Sequence, residues 1–233
     1  MDLVVLIAKD MALGIGGVVS FTTVDYPSHI AAVVFLQGCC WRCGYCHNPH
    51  LQMLSARDAI LWKDVLGLLK KRVGFIEAVV FSGGEPLVQE SLPAAVADVR
   101  QIGLLVGLHT AGAVPEMLAA IVPQLDWVGF DVKYVFDEYA LVTGVDGSGA
   151  RARESLRILL DSNVSLEVRI TLCEQITAEK LMEIVREISS MGVRALVLQK
   201  CRDKNENVVE HSVFSDKLLW EEASTYFDRL CMR

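Results

Sequence analysis

The chain has 233 residues, of which 52% are hydrophobic and 22% charged, and its formal net charge is −7. Contacts with phosphate need clustered lysine and arginine, so this charge argues against a nucleic-acid-binding protein. No run of about 18 apolar residues occurs, so we expect no membrane-spanning helix and no membrane partner. The apolar start "LVVLIA" is short and lacks the basic flank of a signal peptide. We therefore expect a cytoplasmic protein whose seven cysteines serve metal or redox chemistry.

Six apolar, β-branched stretches alternate with helix-like segments along the chain. This alternation is typical of an α/β protein with a parallel sheet, and a sheet covered on both faces explains the mean hydropathy of +0.37. The predicted strands span 31–37, 78–82, 104–110, 127–132, 164–171 and 195–199. The predicted helices span 56–72, 91–102, 115–121, 152–161, 177–191 and about 215–230, with Ser55 and Thr177 as N-caps and Gly192 as a C′ glycine.

No linker rich in proline or serine interrupts this alternation, so we predict one domain over residues 1–233. A glycine-containing stretch at 3–21 would add a small hairpin outside the repeat, within an extension of about 1–29.

In the predicted strand 164–171, Ser165, Glu167, Arg169 and Thr171 share one face. A polar face on a buried strand fits a ligand-filled lumen, and an edge strand with one wet face is the alternative.

Four cysteines fall within eight residues of the segment "GCCWRCGYC" at 38–46. Cys39, Cys43 and Cys46 have the spacing C-x3-C-x2-C, which suits thiolates that converge on an iron–sulfur cluster. A zinc site completed by Cys40 or His47 is the alternative, although no second CxxC pair follows. Cys40 directly follows Cys39 and should point away from a site that Cys39 faces. Cys173, Cys201 and Cys231 are expected to be ordinary thiols.

These motifs resemble the radical S-adenosylmethionine superfamily. The three-cysteine motif has an aromatic residue before its last cysteine, and "SGGEP" at 82–86 matches the second motif of that superfamily. The segments "VDYPSHIAAVVFLQGCCWRCGYCHNP" and "VTGVDGSGARARESLRILLDSNVSLEVRIT" look like those of glycyl-radical-enzyme activating proteins. "DYP", "YCHNP" and "LVLQK" are most similar to the group that activates anaerobic ribonucleoside-triphosphate reductase.

The resemblance implies a partial (β/α)6 TIM-like barrel and an enzyme with two cofactors. One is a 4Fe-4S cluster held by Cys39, Cys43 and Cys46. The other is S-adenosylmethionine, bound to the remaining iron and cleaved by one electron to a 5′-deoxyadenosyl radical. That radical would generate a glycyl radical on a partner enzyme, with flavodoxin or ferredoxin as the electron donor. The implied cofactor-binding residues are Tyr45, Gly83, Gly84, Glu85, His109, Asp131, Lys133 and Arg169.

His109 departs from the pattern of related activating proteins, which usually have aspartate before the threonine at this position. Some of those proteins use that aspartate in a monovalent-cation site. Neutral imidazole is a poor ligand for a hard cation, so we predict a lost or altered cation site, with His109 bonding Asp131.

The resemblance also leaves two alternative functions. One is the activation of a pyruvate formate-lyase-type enzyme, and the other is small-molecule radical chemistry, as in 7-carboxy-7-deazaguanine synthases.

Overall fold

The protein is built around one sheet of eight strands, as seen in a computed structural model that describes residues 13–53, 60–202 and 207–233. The strands lie side by side in chain order. β1 runs antiparallel to β2, and each later strand is parallel to its neighbour. The strands are β1 Ile15–Thr22, β2 Ala31–Leu36, β3 Ala78–Gly83, β4 Leu105–Thr110, β5 Trp127–Val132, β6 Ser165–Leu172, β7 Ala195–Lys200 and β8 Arg229–Met232.

Helices connect the parallel strands and carry apolar residues into the core. Thr177 caps the helix that follows β6, because its hydroxyl accepts a hydrogen bond from the Lys180 amide at 3.3 Å. Gly192 follows that helix with φ of 107°, the left-handed conformation that glycine adopts readily. The helices are α1 Trp62–Lys70, α2 Leu92–Gln101, α3 Pro115–Ile121, α4 Ala140–Thr143, α5 Ser148–Leu160, α6 Ala178–Ser190 and α7 Lys217–Ser224.

The six parallel strands predicted from sequence are confirmed as β2 to β7, and one other prediction needs correction. The described part of the predicted N-terminal hairpin contains β1, which pairs antiparallel with β2 at the edge of the main sheet. The predicted helix over 215–230 is wrong at its end, since α7 stops at Ser224 and β8 pairs with β7. Residues 1–12 of the hairpin, and residues 54–59 with the predicted cap Ser55, lie outside the described residues.

The polar face of β6 points to the inner side of the curved sheet. Val168 and Ile170 are fully buried in the main core, whereas Glu167 and Arg169 are buried on the opposite face. β6 pairs with β5 on one side and β7 on the other, so the edge-strand interpretation is wrong. The architecture is an incomplete barrel whose inner face carries the buried Glu167 and Arg169 beside a small apolar cluster. The carboxyl ends of its parallel strands meet at one face, where barrel enzymes place their sites.

Candidate active site

A cavity of about 620 Å³ opens at the carboxyl ends of the strands. Its volume falls in the usual range for a small-molecule or cofactor site. The lining residues come from the loops after β2, β3, β4 and β5 and from the ends of β6, β7 and β8. The lining includes Cys39, Cys43, Tyr45, Cys46, Gly83, Gly84, Glu85, His109, Asp131, Lys133, Thr171, Gln199, Lys200 and Arg233.

The cysteine loop presents three of its four thiols to this cavity. Cys39, Cys43 and Cys46 are partly buried and line it, whereas Cys40 is exposed and is not among the lining residues. The loop is closed at its base because the Gly38 amide donates to the Leu51 carbonyl at 2.8 Å. The Cys46 amide donates to the Cys43 carbonyl at 3.1 Å, which turns the chain between the last two thiols. These positions favour the predicted division of the four thiols, which stays a prediction.

The three cavity thiols could hold an iron–sulfur cluster or, with a fourth ligand, a zinc ion. His47, the alternative fourth zinc ligand, already accepts the Arg202 amide on Nε2 at 3.2 Å. Burial raises the pKa of Cys39 to about 12, so metal binding there must displace a proton. Soft thiolates on separate positions of one cavity wall fit an iron–sulfur cluster.

The "SGGEP" loop packs directly on the base of the cysteine loop. The Gly84 amide donates to the Leu36 carbonyl at 2.9 Å, and the Glu85 amide donates to the Gly38 carbonyl at 2.8 Å. Gly83 has φ of 121°, and a Cβ placed on it would collide with the backbone of Leu36. A Cβ on Gly84 would collide with the Gly38 carbonyl. Glycine is therefore needed where these two backbones approach each other.

The Glu85 side chain joins the same loop to the end of β4. It is 2% exposed and accepts hydrogen bonds from the Thr110 hydroxyl at 2.6 Å, the Ala111 amide at 2.9 Å and the Leu87 amide at 3.2 Å. Burial raises the pKa of Glu85, and these three donors oppose that rise. Sequence analysis gave Glu85 only as a cofactor-binding residue, so this bracing role of its side chain was missed.

His109 does not bond Asp131, contrary to the sequence-based expectation. Its Nε2 lies 3.0 Å from the Asp25 carbonyl, and its Nδ1 lies 3.3 Å from the Ser82 hydroxyl. A carbonyl can only accept, so Nε2 carries the proton and Nδ1 accepts from Ser82. The ring also packs edge-on against Trp127, with centroids 5.4 Å apart. The loss of a cation site at His109 stays a prediction.

This environment of His109 predicts a loss of stability in mild acid. Burial and then the Arg169 charge lower the pKa of His109 well below its usual value. The unfolded state therefore takes up a proton below about pH 6.5 that the native state does not, and stability falls as pH falls. This residue therefore lowers the stability at pH 5 relative to pH 7. Denaturant unfolding between pH 7 and pH 5 should show a flatter pH dependence for His109→Gln than for the wild type, and equal slopes would contradict the prediction.

Asp131 sits between two cations in the lumen. Its carboxylate lies 3.7 Å from Lys133 Nζ and 3.5 Å from Arg169 Nε, because Asp131 and Arg169 are register partners on β5 and β6. Lys133 Nζ also lies 5.8 Å from the centre of the Tyr45 ring. Asp131 therefore pairs with both Lys133 and Arg169, and Lys133 meets Tyr45 of the cysteine loop.

Arg169 lies deeper than the sequence-predicted cofactor contact suggests. It is 5% exposed, it is not among the cavity-lining residues, and its guanidinium carbon lies 5.4 Å from the Trp127 ring centre. A Cβ on Gly129 would overlap the guanidinium, so glycine makes room for it. Among the described residues, Arg169 Nε and Nη2 have no hydrogen-bond acceptor. Contact between Arg169 and the cofactor stays a prediction.

Comparison with known proteins identifies the family. A model of the Radical SAM superfamily matches residues 33–188, which includes the cysteine loop, the "SGGEP" loop and strands β3 to β6. The chain belongs to the radical SAM superfamily. A protein of Methanocaldococcus jannaschii named as a glycyl-radical enzyme activating enzyme is 30% identical over 176 residues, covering 72% of each chain. The pyruvate formate-lyase-activating enzyme of Clostridium pasteurianum is 30% identical over 192 residues, covering 78% of this chain and 77% of that one.

Within the radical SAM superfamily, these relatives place the enzyme among the glycyl-radical-enzyme activating enzymes. The crystal structure of Streptococcus suis SuiB bound to S-adenosylmethionine superposes with a TM-score of 0.63 at 14% identity. The superposition covers 84% of this chain but 48% of the SuiB chain, so this chain spans about half the length of SuiB. That likeness concerns the fold alone and confirms the predicted radical SAM barrel.

The far wall of the radical SAM cavity contains a residue that sequence analysis missed. Arg233 lines the cavity, and its Nη2 donates to Glu167 at 2.9 Å, while Arg229 Nη2 donates to the same carboxylate at 3.2 Å. Arg229 begins β8 and fell within the helix predicted over about 215–230, whereas Arg233 lies beyond that prediction.

Among the described residues, no helix has both the length and the apolar character needed to cross a membrane.

Proposed function

We propose that the enzyme cleaves S-adenosylmethionine reductively at a 4Fe-4S cluster and generates a glycyl radical on a partner enzyme. The observation that supports this most directly is the shared cavity wall. Cys39, Cys43 and Cys46 line the cavity together with Gly83 and Gly84, whereas Cys40 is exposed and is not among the lining residues. Three thiolates would leave one iron of a 4Fe-4S cluster without a protein ligand.

The cluster and S-adenosylmethionine, when bound, would supply the electron and the hydrogen-abstracting radical. The residues of the chain bind, orient and exclude competing reactions. The Gly83, Gly84 and Glu85 backbone would accept hydrogen bonds from the methionyl amine, and the buried Glu85 side chain holds that backbone against β4. Tyr45 and Lys133 close the cavity wall beside Cys46, which would keep water from the reacting atoms.

As the partner we propose anaerobic ribonucleoside-triphosphate reductase. Support comes from the segments "DYP", "YCHNP" and "LVLQK", while the relatives support the activating-enzyme class without deciding the partner. A pyruvate formate-lyase-type partner is the alternative. We further propose a single cytoplasmic domain that receives its electron from flavodoxin or ferredoxin and binds neither nucleic acid nor membrane, in keeping with seven free thiols and a net charge of −7.

The experiment is anaerobic incubation of the reconstituted enzyme with dithionite, S-adenosylmethionine and candidate partner. We expect 5′-deoxyadenosine and an EPR doublet from a glycyl radical on the reductase. Without partner, 5′-deoxyadenosine should form slowly and no doublet should appear. A doublet with pyruvate formate-lyase alone would shift the partner to the alternative. The absence of 5′-deoxyadenosine under every condition would refute the proposed chemistry.

A further inference from the structure

A buried tyrosine between β5 and α4 contacts two parts of the site without lining the cavity. Tyr139 is 1% exposed and is not among the lining residues. Its ring stacks on Phe136, with centroids 5.6 Å apart. On the other side α5 packs so closely that a Cβ on Gly149 would collide with the Phe136 carbonyl and press on the Tyr139 Cβ. This close packing leaves the Tyr139 ring little freedom to move.

The hydroxyl of Tyr139 binds the backbone at the end of β5. It accepts a hydrogen bond from the Lys133 amide at 2.9 Å and lies 3.5 Å from the Asp131 carbonyl. Burial raises the pKa of Tyr139, so the phenol keeps its proton at neutral pH. Lys133 is the first residue after β5, and its side chain lines the cavity beside Tyr45. The hydroxyl therefore holds the backbone from which Lys133 reaches the cavity.

The ring of Tyr139 packs against the cysteine loop. The rings of Trp41 and Tyr139 are inclined at 74° with centroids 5.7 Å apart, an edge-to-face arrangement that aromatic pairs favour. Trp41 stands between Cys39 and Cys43 in the sequence and is 2% exposed. Its amide donates to Cys39 Sγ at 3.4 Å. Tyr139 thus acts on a proposed cluster ligand through Trp41.

The helical turn that begins at Tyr139 holds the cysteine loop at a second point. The Arg42 amide donates to the Thr143 carbonyl at 2.8 Å. Thr143 is itself tied to Tyr139, because its amide and its hydroxyl donate to the Tyr139 carbonyl at 3.0 and 3.1 Å. Two successive residues of the cysteine loop, Trp41 and Arg42, are therefore fixed to the same turn.

We propose that Tyr139 is a positioning residue that sets the distance between the cysteine loop and Lys133. This inference rests on the proposed function, in which the loop would hold the cluster and Lys133 would contact S-adenosylmethionine. Tyr139 touches neither, and no bond is made or broken at its side chain. Residues that orient metal ligands through hydrogen bonds matter about 10–100-fold for metal affinity or activity without binding the metal themselves.

Tyr139→Phe tests the hydroxyl, because it removes one oxygen and keeps the ring against Trp41. After anaerobic reconstitution we expect wild-type iron and sulfide content. Equilibrium dialysis should show about 10-fold weaker S-adenosylmethionine binding, since the Lys133 backbone loses its partner. Tyr134→Phe is the matched control. Tyr134 is also buried and lies between β5 and α4, but it packs beside Lys180 and does not line the cavity, so its affinity should equal that of the wild type.

Tyr139→Leu tests the ring, because it also removes the aromatic contact with Trp41. We expect the midpoint potential of the cluster, measured by EPR-monitored redox titration, to become more negative than in the wild type. The reason is that hydrogen bonds to cluster sulfurs help to set this potential, and a loosened Trp41 amide would bond Cys39 Sγ less well. Tyr139→Phe, which keeps the ring, should retain the wild-type potential.

Hydrogen exchange of the wild-type apoprotein adds a measurement that needs no variant. The Lys133 amide is bonded to a buried hydroxyl, so we expect slow exchange, and exchange at the rate of a free amide would overturn the inference. Wild-type S-adenosylmethionine affinity in Tyr139→Phe would also overturn it, as would a wild-type potential in Tyr139→Leu, even if both variants lost stability. Failure of the wild-type holoenzyme to bind S-adenosylmethionine would instead refute the proposed function.

Discussion

Replacing Cys43 with alanine is expected to remove the cluster, whereas replacing Cys40 with alanine should leave the iron and sulfide content at the wild-type level. Cys43 lines the cavity with Cys39 and Cys46, while Cys40 is exposed and does not line it. Removing a residue that only hydrogen-bonds a metal ligand already costs about 10–100-fold in metal affinity or activity. Loss of a ligand should therefore lower dithionite-driven 5′-deoxyadenosine formation by about 100-fold or more.

The two variants form a matched pair, because they differ by three positions in one loop and remove the same thiol. Iron and acid-labile sulfide would be assayed after identical anaerobic reconstitution, with circular dichroism to confirm folding of the apoproteins. Equal loss of iron in Cys40→Ala and Cys43→Ala would contradict the division of the thiols. Retention of a full cluster in Cys43→Ala, with loss in Cys40→Ala, would exchange their roles.

Gly84→Ala should destabilise the protein and weaken S-adenosylmethionine binding together. A Cβ at this position would collide with the Gly38 carbonyl and press on the Leu51 carbonyl, so the "SGGEP" and cysteine loops would have to separate. Overpacking of this kind costs about 2–3 kcal/mol, roughly 5–10 °C in Tm for a chain of this size. The Glu85 amide would also lose its 2.8 Å bond to Gly38.

Gly44→Ala is the control for this prediction, because Gly44 lies in the same cysteine loop and a Cβ there meets nothing within 4 Å. We expect its unfolding free energy to stay within about 0.5 kcal/mol of wild type. Thermal unfolding of the apoproteins measures stability, and equilibrium dialysis of the reconstituted proteins measures cofactor binding. A Gly84→Ala protein as stable as Gly44→Ala, with unchanged S-adenosylmethionine affinity, would show that the two loops need not touch.

The sequence predicted the parallel strands well because each is a short apolar run ending in polar residues. The stretch "AAVVFLQGCC" gives both β2 and the site loop that follows it, and 127–132 coincides with β5. β8 was missed because "RLCM" is four residues long and directly follows a helical pattern. Its pairing with β7 is a tertiary contact that no local pattern encodes.

The candidate site was predictable where one motif places several groups, and less so where distant segments meet. Cys39, Cys43 and Cys46 come from one loop, and they line the cavity together. His109 was paired with the wrong partner, because its contact with the Asp25 carbonyl joins residues 84 positions apart. The guanidinium of Arg169 lies outside the cavity lining, where Gly129 leaves room for it and the Trp127 ring lies beside it. The alternation of polar and apolar residues along β6 alone does not reveal these two contacts.

Iron K-edge X-ray absorption of the anaerobically purified protein, recorded before and after addition of S-adenosylmethionine, tests the cluster assignment most directly. We expect sulfur-ligated irons with clear iron–iron scattering, and added nitrogen or oxygen scattering once S-adenosylmethionine binds the iron that Cys39, Cys43 and Cys46 leave open. A single metal ion without iron–iron scattering, unchanged by S-adenosylmethionine, would contradict it.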